Sequence, residues 1–191
     1  MDKRKIREKG KALERIAREI ESCRICKRGK IGKAVPGEGN PDADVVFLGE
    51  APGKLEAETG RPFIGRAGKV LRSLIKEVGL KDEEVYITSP VKYLLKYVTP
   101  TAADIEHGRK HLFEQLDVIR PKVVVLLGNV ASQAMLREKF PVAKIHGKII
   151  KRGGVAYFIT YHPAAPLHNP KIKPALIRDF LKLKSLIRGY Q

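Results

Sequence analysis

The 191-residue chain has no tryptophan, only two cysteines and two methionines, and aromatic residues make up just 6% of it. Two cysteines cannot build the disulfide framework of a small secreted domain. No apolar run approaches the roughly 20 residues that a membrane-spanning helix needs. No segment joins a basic face to bulky aromatic anchors, so a lipid surface is not the expected partner. The opening residues, Met1-Asp2-Lys3-Arg4-Lys5, lead into a charged amphipathic segment and not an apolar signal core. The expected location is the cytoplasm, with no membrane association. Acids are scarce as well: 21 Asp and Glu face 38 Lys and Arg, a net charge of +17. Such a surplus repels itself in a compact fold, and a polyanion such as nucleic acid relieves it. The bland alternative is a basic solvated surface with no specific partner.

What is present reads as a single domain over residues 1–191, with an N-terminal helix and cysteine turn (about 1–35) packed on it. Ile6, Leu13, Ile16 and Ile20 are spaced as an amphipathic helix over 4–22. Apolar runs at Val45–Leu48, Val85–Thr88, Val123–Leu127 and Val155–Thr160 read as buried strands. Helices are predicted over 65–79, 102–119, 130–138 and about 171–188, and Gly147–Gly154 as a hairpin or loop. Strands that are continuously apolar and alternate with helices predict a parallel sheet covered on both faces. In such sheets the ligand sits beyond the carboxyl ends of the strands. Those ends carry Gly49-Glu50-Ala51-Pro52-Gly53, Ser89-Pro90, Gly128-Asn129 and His162-Pro163.

Two nucleotide-binding motifs are missing. Gly49 to Lys54 has one residue too few between its glycines for a Walker loop, and Leu55 stands where Ser or Thr should meet magnesium. No Gly-x-Gly-x-x-Gly follows the first strand, which sets a dinucleotide enzyme aside.

Residues 49–68, Gly-Glu-Ala-Pro-Gly-Lys-Leu-Glu-Ala-Glu-Thr-Gly-Arg-Pro-Phe-Ile-Gly-Arg-Ala-Gly, closely resemble the first signature of the family four uracil-DNA glycosylases of bacteria and archaea. His162-Pro163-Ala164-Ala165, with Asn169-Pro170 after it, resembles the second signature. The resemblance runs from the cysteine pair to the last helix. It implies a three-layer α/β/α sandwich with a four-stranded parallel sheet. It also implies a monofunctional enzyme that flips uracil out of DNA and hydrolyses the bond between base and sugar, as the first step of base-excision repair. By the same resemblance His162 stabilises the departing uracil anion and Phe63 stacks on the flipped base. Glu50 belongs in the pocket, either orienting water or holding neighbouring backbone, and Gly49, Ala51 and Ser89 belong against the base. A better-known glycosylase family has an aspartate where this chain has Ala51, which argues against a simple aspartate-activated water.

Glycines 49, 53, 65 and 68 permit close approach of backbone to a base or phosphate. Lys54, Arg61, Arg66 and Lys69 are candidate phosphate contacts, some of them only solvated charges, and Asn129 is a further candidate at its strand end. Leu167 is a candidate wedge for the gap that the flipped base leaves.

The chain departs from the resembled family at two places. Relatives end the second strand with an asparagine that reads the uracil edge, where this chain has Ser89. A hydroxyl cannot match the paired pattern of an amide, so altered base specificity, for hypoxanthine or xanthine, is an open expectation. Relatives also hold a [4Fe-4S] cluster on four cysteines. Cys23 and Cys26 match the first two, but Tyr93 and His107 stand at the other two positions. His111 follows His107 by one helical turn, so both imidazoles share a face. Cys-x2-Cys with His-x3-His has the donor set and spacing of a tetrahedral zinc site. Zinc is the favoured metal, with a His-ligated iron–sulfur cluster or no metal as alternatives.

A covalent uracil-trapping branch of the superfamily has a histidine-bearing insertion that the short Tyr93–Thr101 stretch lacks. A non-catalytic sensor of damaged DNA and a plain basic DNA-binding module are the non-enzyme alternatives. The expected state is a monomer working with repair proteins, and the abundance of Lys, Arg and Ile points to a thermophile.

Overall fold

The computed structural model describes residues 3–97, 99–137 and 141–190. Met1, Asp2, Val98 within the Tyr93–Thr101 stretch, and residue 138 at the expected end of the fourth helix lie outside them.

Along the chain, α1 (Lys3–Ser22) and the single turn α2 (Arg24–Lys27) precede β1 (Lys30–Ile31) and β2 (Glu38–Gly39). The first long strand, β3 (Val45–Leu48), leads through α3 (Lys54–Thr59) and α4 (Arg66–Glu77) to β4 (Val85–Thr88). Then come β5 (Leu94–Leu95), α5 (Ala102–Ile119), β6 (Val123–Leu127), α6 (Asn129–Leu136) and α7 (Val142–Ile145). The chain closes with β7 (Ile149–Arg152), β8 (Val155–Thr160), α8 (Ala165–His168) and α9 (Lys173–Arg188).

The sheet runs β2-β4-β3-β6-β8-β7. Its central β4, β3, β6 and β8 are parallel and are the four apolar runs predicted above. The sheet nevertheless has six strands, because antiparallel β2 and β7 extend its edges. β2 has no apolar run to announce it, whereas β7 lies in the 147–154 segment expected as a hairpin or loop and pairs with β8 across Gly153-Gly154. In β2, Gly39 adopts a φ of 131°, and a Cβ there would lie 2.1 Å from the carbonyl oxygen of Val85. Only glycine allows that pairing. The exposed Lys151 and Arg152 of β7 give the opposite edge a charge that discourages further pairing.

Alternation along each strand divides the core between two faces. Val46, Leu48, Val124, Leu126 and Ile159 pack with Leu13, Ile16 and Ile20 of α1 and with Leu112, Leu116 and Ile119 of α5. Val45, Phe47, Val125, Leu127 and Phe158 pack on the other face with Leu71, Leu74 and Ile75 of α4 and with Leu176, Phe180 and Leu183 of α9. The result is an α/β/α sandwich whose parallel strands all end at one rim.

Candidate active site and metal centre

That rim holds a cleft of about 680 Å³, and Glu50, Ala51, Lys54, Phe63, Arg66, Ser89 and His162 all line it. Residues from three strand ends and the loop between β3 and α4 meet there.

Phe63 is the most constrained residue of the cleft. Its φ of 51° is left-handed, which costs a residue with a side chain about 1–2 kcal/mol. Two glycines make room for it. A Cβ on Gly49 would lie 2.6 Å from the Phe63 ring, and one on Gly68 would lie 1.9 Å from the Phe63 carbonyl oxygen. The guanidinium of Arg72 donates to the carbonyls of Phe63 and Pro62 at 3.3 and 3.4 Å. Arg72 is itself held by Glu38 and Asp82. The ring is thereby fixed 5.7 Å from that of His162, tilted by 33°.

Burial pushes His162 down to about 4, so the imidazole is neutral at physiological pH. The backbone N–H of Ala164 donates to its Nδ1 at 3.1 Å. The hydrogen-bond pattern therefore assigns the ring proton to Nε2, leaving a neutral N–H donor. Glu50, half-buried, has its carboxyl raised above the ordinary range by burial alone. Buried Ser89 donates its hydroxyl to the carbonyl of Val91 at 2.7 Å, so only its lone pairs remain to meet a ligand.

The candidate phosphate contacts are more scattered. Lys54, Arg66 and Lys69 are exposed, the first two on the cleft itself. Arg61 is engaged with Glu38 through two hydrogen bonds at 2.8 and 3.1 Å. Asn129 is exposed, but its side-chain oxygen accepts from the Val142 N–H at 2.9 Å and so anchors α7. Leu167 sits on α8, 37% exposed, outside the lining of the cleft.

Two supports of the cleft had no clear sequence signal. Glu56 accepts from the backbone N–H groups of Ile64 and Gly65 at 2.9 and 2.8 Å, bracing the turn that enters α4 and placing a carboxylate near its N-terminus. An acid within the glycine-rich motif was the only clue. Lys92 is fully buried, which pushes its amine down to about 7. Its Nζ donates to the Pro36 carbonyl at 3.0 Å and to Thr88 and Gln115 at 2.7 Å each. Its own carbonyl accepts from the N–H of Val35, which lines the cleft. In sequence this lysine looks like any other.

On the α1/α5 side of the sheet, Cys23, Cys26, His107 and His111 present donor atoms that all lie within 4.8 Å of one another. Cys23 Sγ and His107 Nε2 are 3.2 Å apart, and the Cys26 N–H points to the Cys23 sulfur at 3.4 Å. His111 carries the most telling feature. Its Nδ1 meets Glu114 at 3.2 Å, while its buried Nε2 has no partner among the described residues. An orphaned imidazole nitrogen facing two thiols, with a carboxylate on its other nitrogen, is the arrangement of a metal ligand. The group fits a single metal ion. Tyr93 joins this cluster as a buried phenol, with its hydroxyl at 3.3 Å from the Ile20 carbonyl at the end of α1.

The chain is similar in sequence to known proteins over most of its length. The sequence profile of the uracil DNA glycosylase superfamily matches residues 36–183. A type-4 uracil-DNA glycosylase of Sulfurisphaera tokodaii is 40% identical over 186 residues, covering 92% of this chain and 84% of that protein. One of Archaeoglobus fulgidus is 39% identical over 185 residues, covering 92% of this chain and 93% of its own. A type-5 uracil-DNA glycosylase of Pyrobaculum aerophilum is 33% identical over 150 residues and covers 70% of this chain.

Proposed function

The chain belongs to the uracil DNA glycosylase superfamily, and on that premise we propose that it flips uracil out of DNA and hydrolyses the N-glycosidic bond. The products are free uracil and an abasic site. The observation that carries this reading is the neutral His162 beside the fixed ring of Phe63. Breaking the bond between C1′ and N1 leaves positive charge on the sugar and negative charge on the base. A neutral Nε2–H directed at a uracil carbonyl stabilises the anion as it forms, and a desolvated site strengthens that contact. Phe63 offers a stacking face for the extruded base. Glu50, with its raised carboxyl, is suited to receive the proton of the attacking water, which bonds to C1′ as uracil leaves. The Lys54 and Arg66 cations on the cleft supply phosphate attraction.

Ser89 supports a specific reading of the base edge. With its proton committed to Val91, the hydroxyl accepts from uracil N3–H but has nothing to offer the O4 carbonyl. An end-labelled oligonucleotide carrying one uracil, hypoxanthine, xanthine or cytosine tests both points after alkaline cleavage of abasic sites. Cleavage at uracil and not at cytosine is the expected result. No cleavage at any base, with binding retained, would turn the reading to a damage sensor.

For the Cys/His group, zinc is the ion we favour. Two thiolates and two imidazoles suit it, and donors all within 4.8 Å of one another suit a single ion. A four-iron cube sits between its ligands and holds them farther apart. Metal bound there would act structurally, fastening α2 to α5 away from the cleft. Elemental analysis of the purified protein decides: about one zinc per chain is expected, and iron with visible absorbance would favour the cluster. The protein would act as a monomer that hands abasic sites to repair enzymes.

A further inference from the structure

We propose that Tyr97 is a stacking platform for a nucleobase adjoining the flipped uridine, an inference that rests on the glycosylase reading above. Tyr97 is 80% exposed, the highest among the exposed large hydrophobic side chains of the described residues, and it lies on the cleft that holds Phe63 and His162. The fold gains almost nothing from a ring left in water. A flat aromatic lining a cleft roomy enough for a flipped base and its neighbour has a counterpart in the face of a base, and such stacking is tolerant of sequence. Charge points the same way. Lys96 beside it and Lys54 across the lining are exposed cations at the same mouth. An exposed aromatic with cations on the same lining suits a strand of stacking bases and charged phosphates.

The mount of Tyr97 is firm where it needs to be. Leu94 and Leu95 of β5 pair antiparallel with Ile31 and Lys30 of β1. Lys30 in turn is bound to Asp104 of α5 at 2.5 Å. Tyr97 therefore follows a short two-stranded antiparallel ladder tied to the body of the protein. Leu167, the wedge expected from sequence, lies on α8 outside the cleft lining, so the two side chains would meet different parts of the strand.

The test uses fluorescence anisotropy and excision kinetics with a labelled oligonucleotide holding one uridine. A second oligonucleotide replaces both bases flanking the uridine with abasic analogues. Tyr97→Ala is expected to weaken binding and raise KM by roughly ten-fold, with kcat within about two-fold of wild type. Tyr97→Phe keeps the ring and is expected to match wild type. On the flank-abasic oligonucleotide the penalty of Tyr97→Ala should vanish. Unchanged binding by Tyr97→Ala would overturn the proposal. So would equal loss by Tyr97→Phe, or a penalty that persists without flanking bases. If wild type releases no uracil, the glycosylase reading fails, and the same anisotropy comparison still decides the fate of Tyr97.

Discussion

The cleft and the Cys/His centre are assembled by opposite strategies. The cleft draws Glu50, Ser89 and His162 from three strand ends and Phe63 from the loop before α4, and keeps them under strain or desolvated. His162 is desolvated, Glu50 is raised by burial, and Phe63 is held in a left-handed conformation. Each of these features costs stability, and each leaves a group ready for a substrate. The metal group is local. One helical turn separates its two histidines, one tight turn its two cysteines, and a single docking of α2 against α5 joins the pairs. Among the described residues its buried His111 Nε2 has no hydrogen-bond partner, as expected of a free metal-ligand position. The contrast predicts a separation of effects: injury to the metal group should be felt in stability, and injury to the cleft in turnover.

The largest effect is expected at the metal group. Removing a donor by His111→Ala, or the ion by a strong chelator, should lower unfolding free energy by on the order of 4 kcal/mol. Denaturant midpoints measure it. Because α2 leads into β1, and β1 supports the β5 wall of the cleft, KM should rise as well while kcat stays near wild type. A collapse of kcat with unchanged stability would break the separation at its root.

His162→Ala is the mirror image. Losing one donor to a developing anion costs about 10²–10³ in turnover, or roughly 2.7–4 kcal/mol. Single-turnover uracil release measures it, and DNA affinity should be retained. Loss of affinity without loss of turnover would place His162 on the DNA and not on the leaving base.

The two regions also differ in how far their sequence could be read. The four parallel strands were legible because burial on both faces writes each as an unbroken apolar run. Edge strand β2 was not, because it is only two residues long, whereas β7 falls within the 147–154 segment expected as a hairpin or loop and forms a hairpin with β8. The Cys/His group was legible because its spacings are local, and the fold needed only to bring two turns together. The cleft was legible through resemblance and only partly through physics. Nothing in the sequence distinguishes Lys92, fully buried beneath the Val35–Pro36 wall, from the solvated lysines around it. Nor does spacing reveal that Arg61 pairs with Glu38, because such choices depend on which loops meet in three dimensions.

The smallest effect probes the cost of keeping the cleft ready. His162 titrates near 4 in the folded chain, against an ordinary value of about 6.5. As pH falls below that ordinary value, the unfolded chain takes up a proton that the folded chain refuses. Folded stability must then decline, and the decline levels off once pH passes below about 4. The full gap is worth about 3 kcal/mol, and water reaching the exposed edge of the ring reduces this to about 2 kcal/mol. His162→Gln removes the titration and should flatten that part of the stability profile between pH 6.5 and 4. An ion bound at the Cys/His group would complicate the comparison, since its donors would release it in acid. Measuring His162→Gln and wild type in the His111→Ala background removes that contribution from both. A difference between them that persists there belongs to the cleft, and parallel curves would mean that His162 is not held neutral by desolvation.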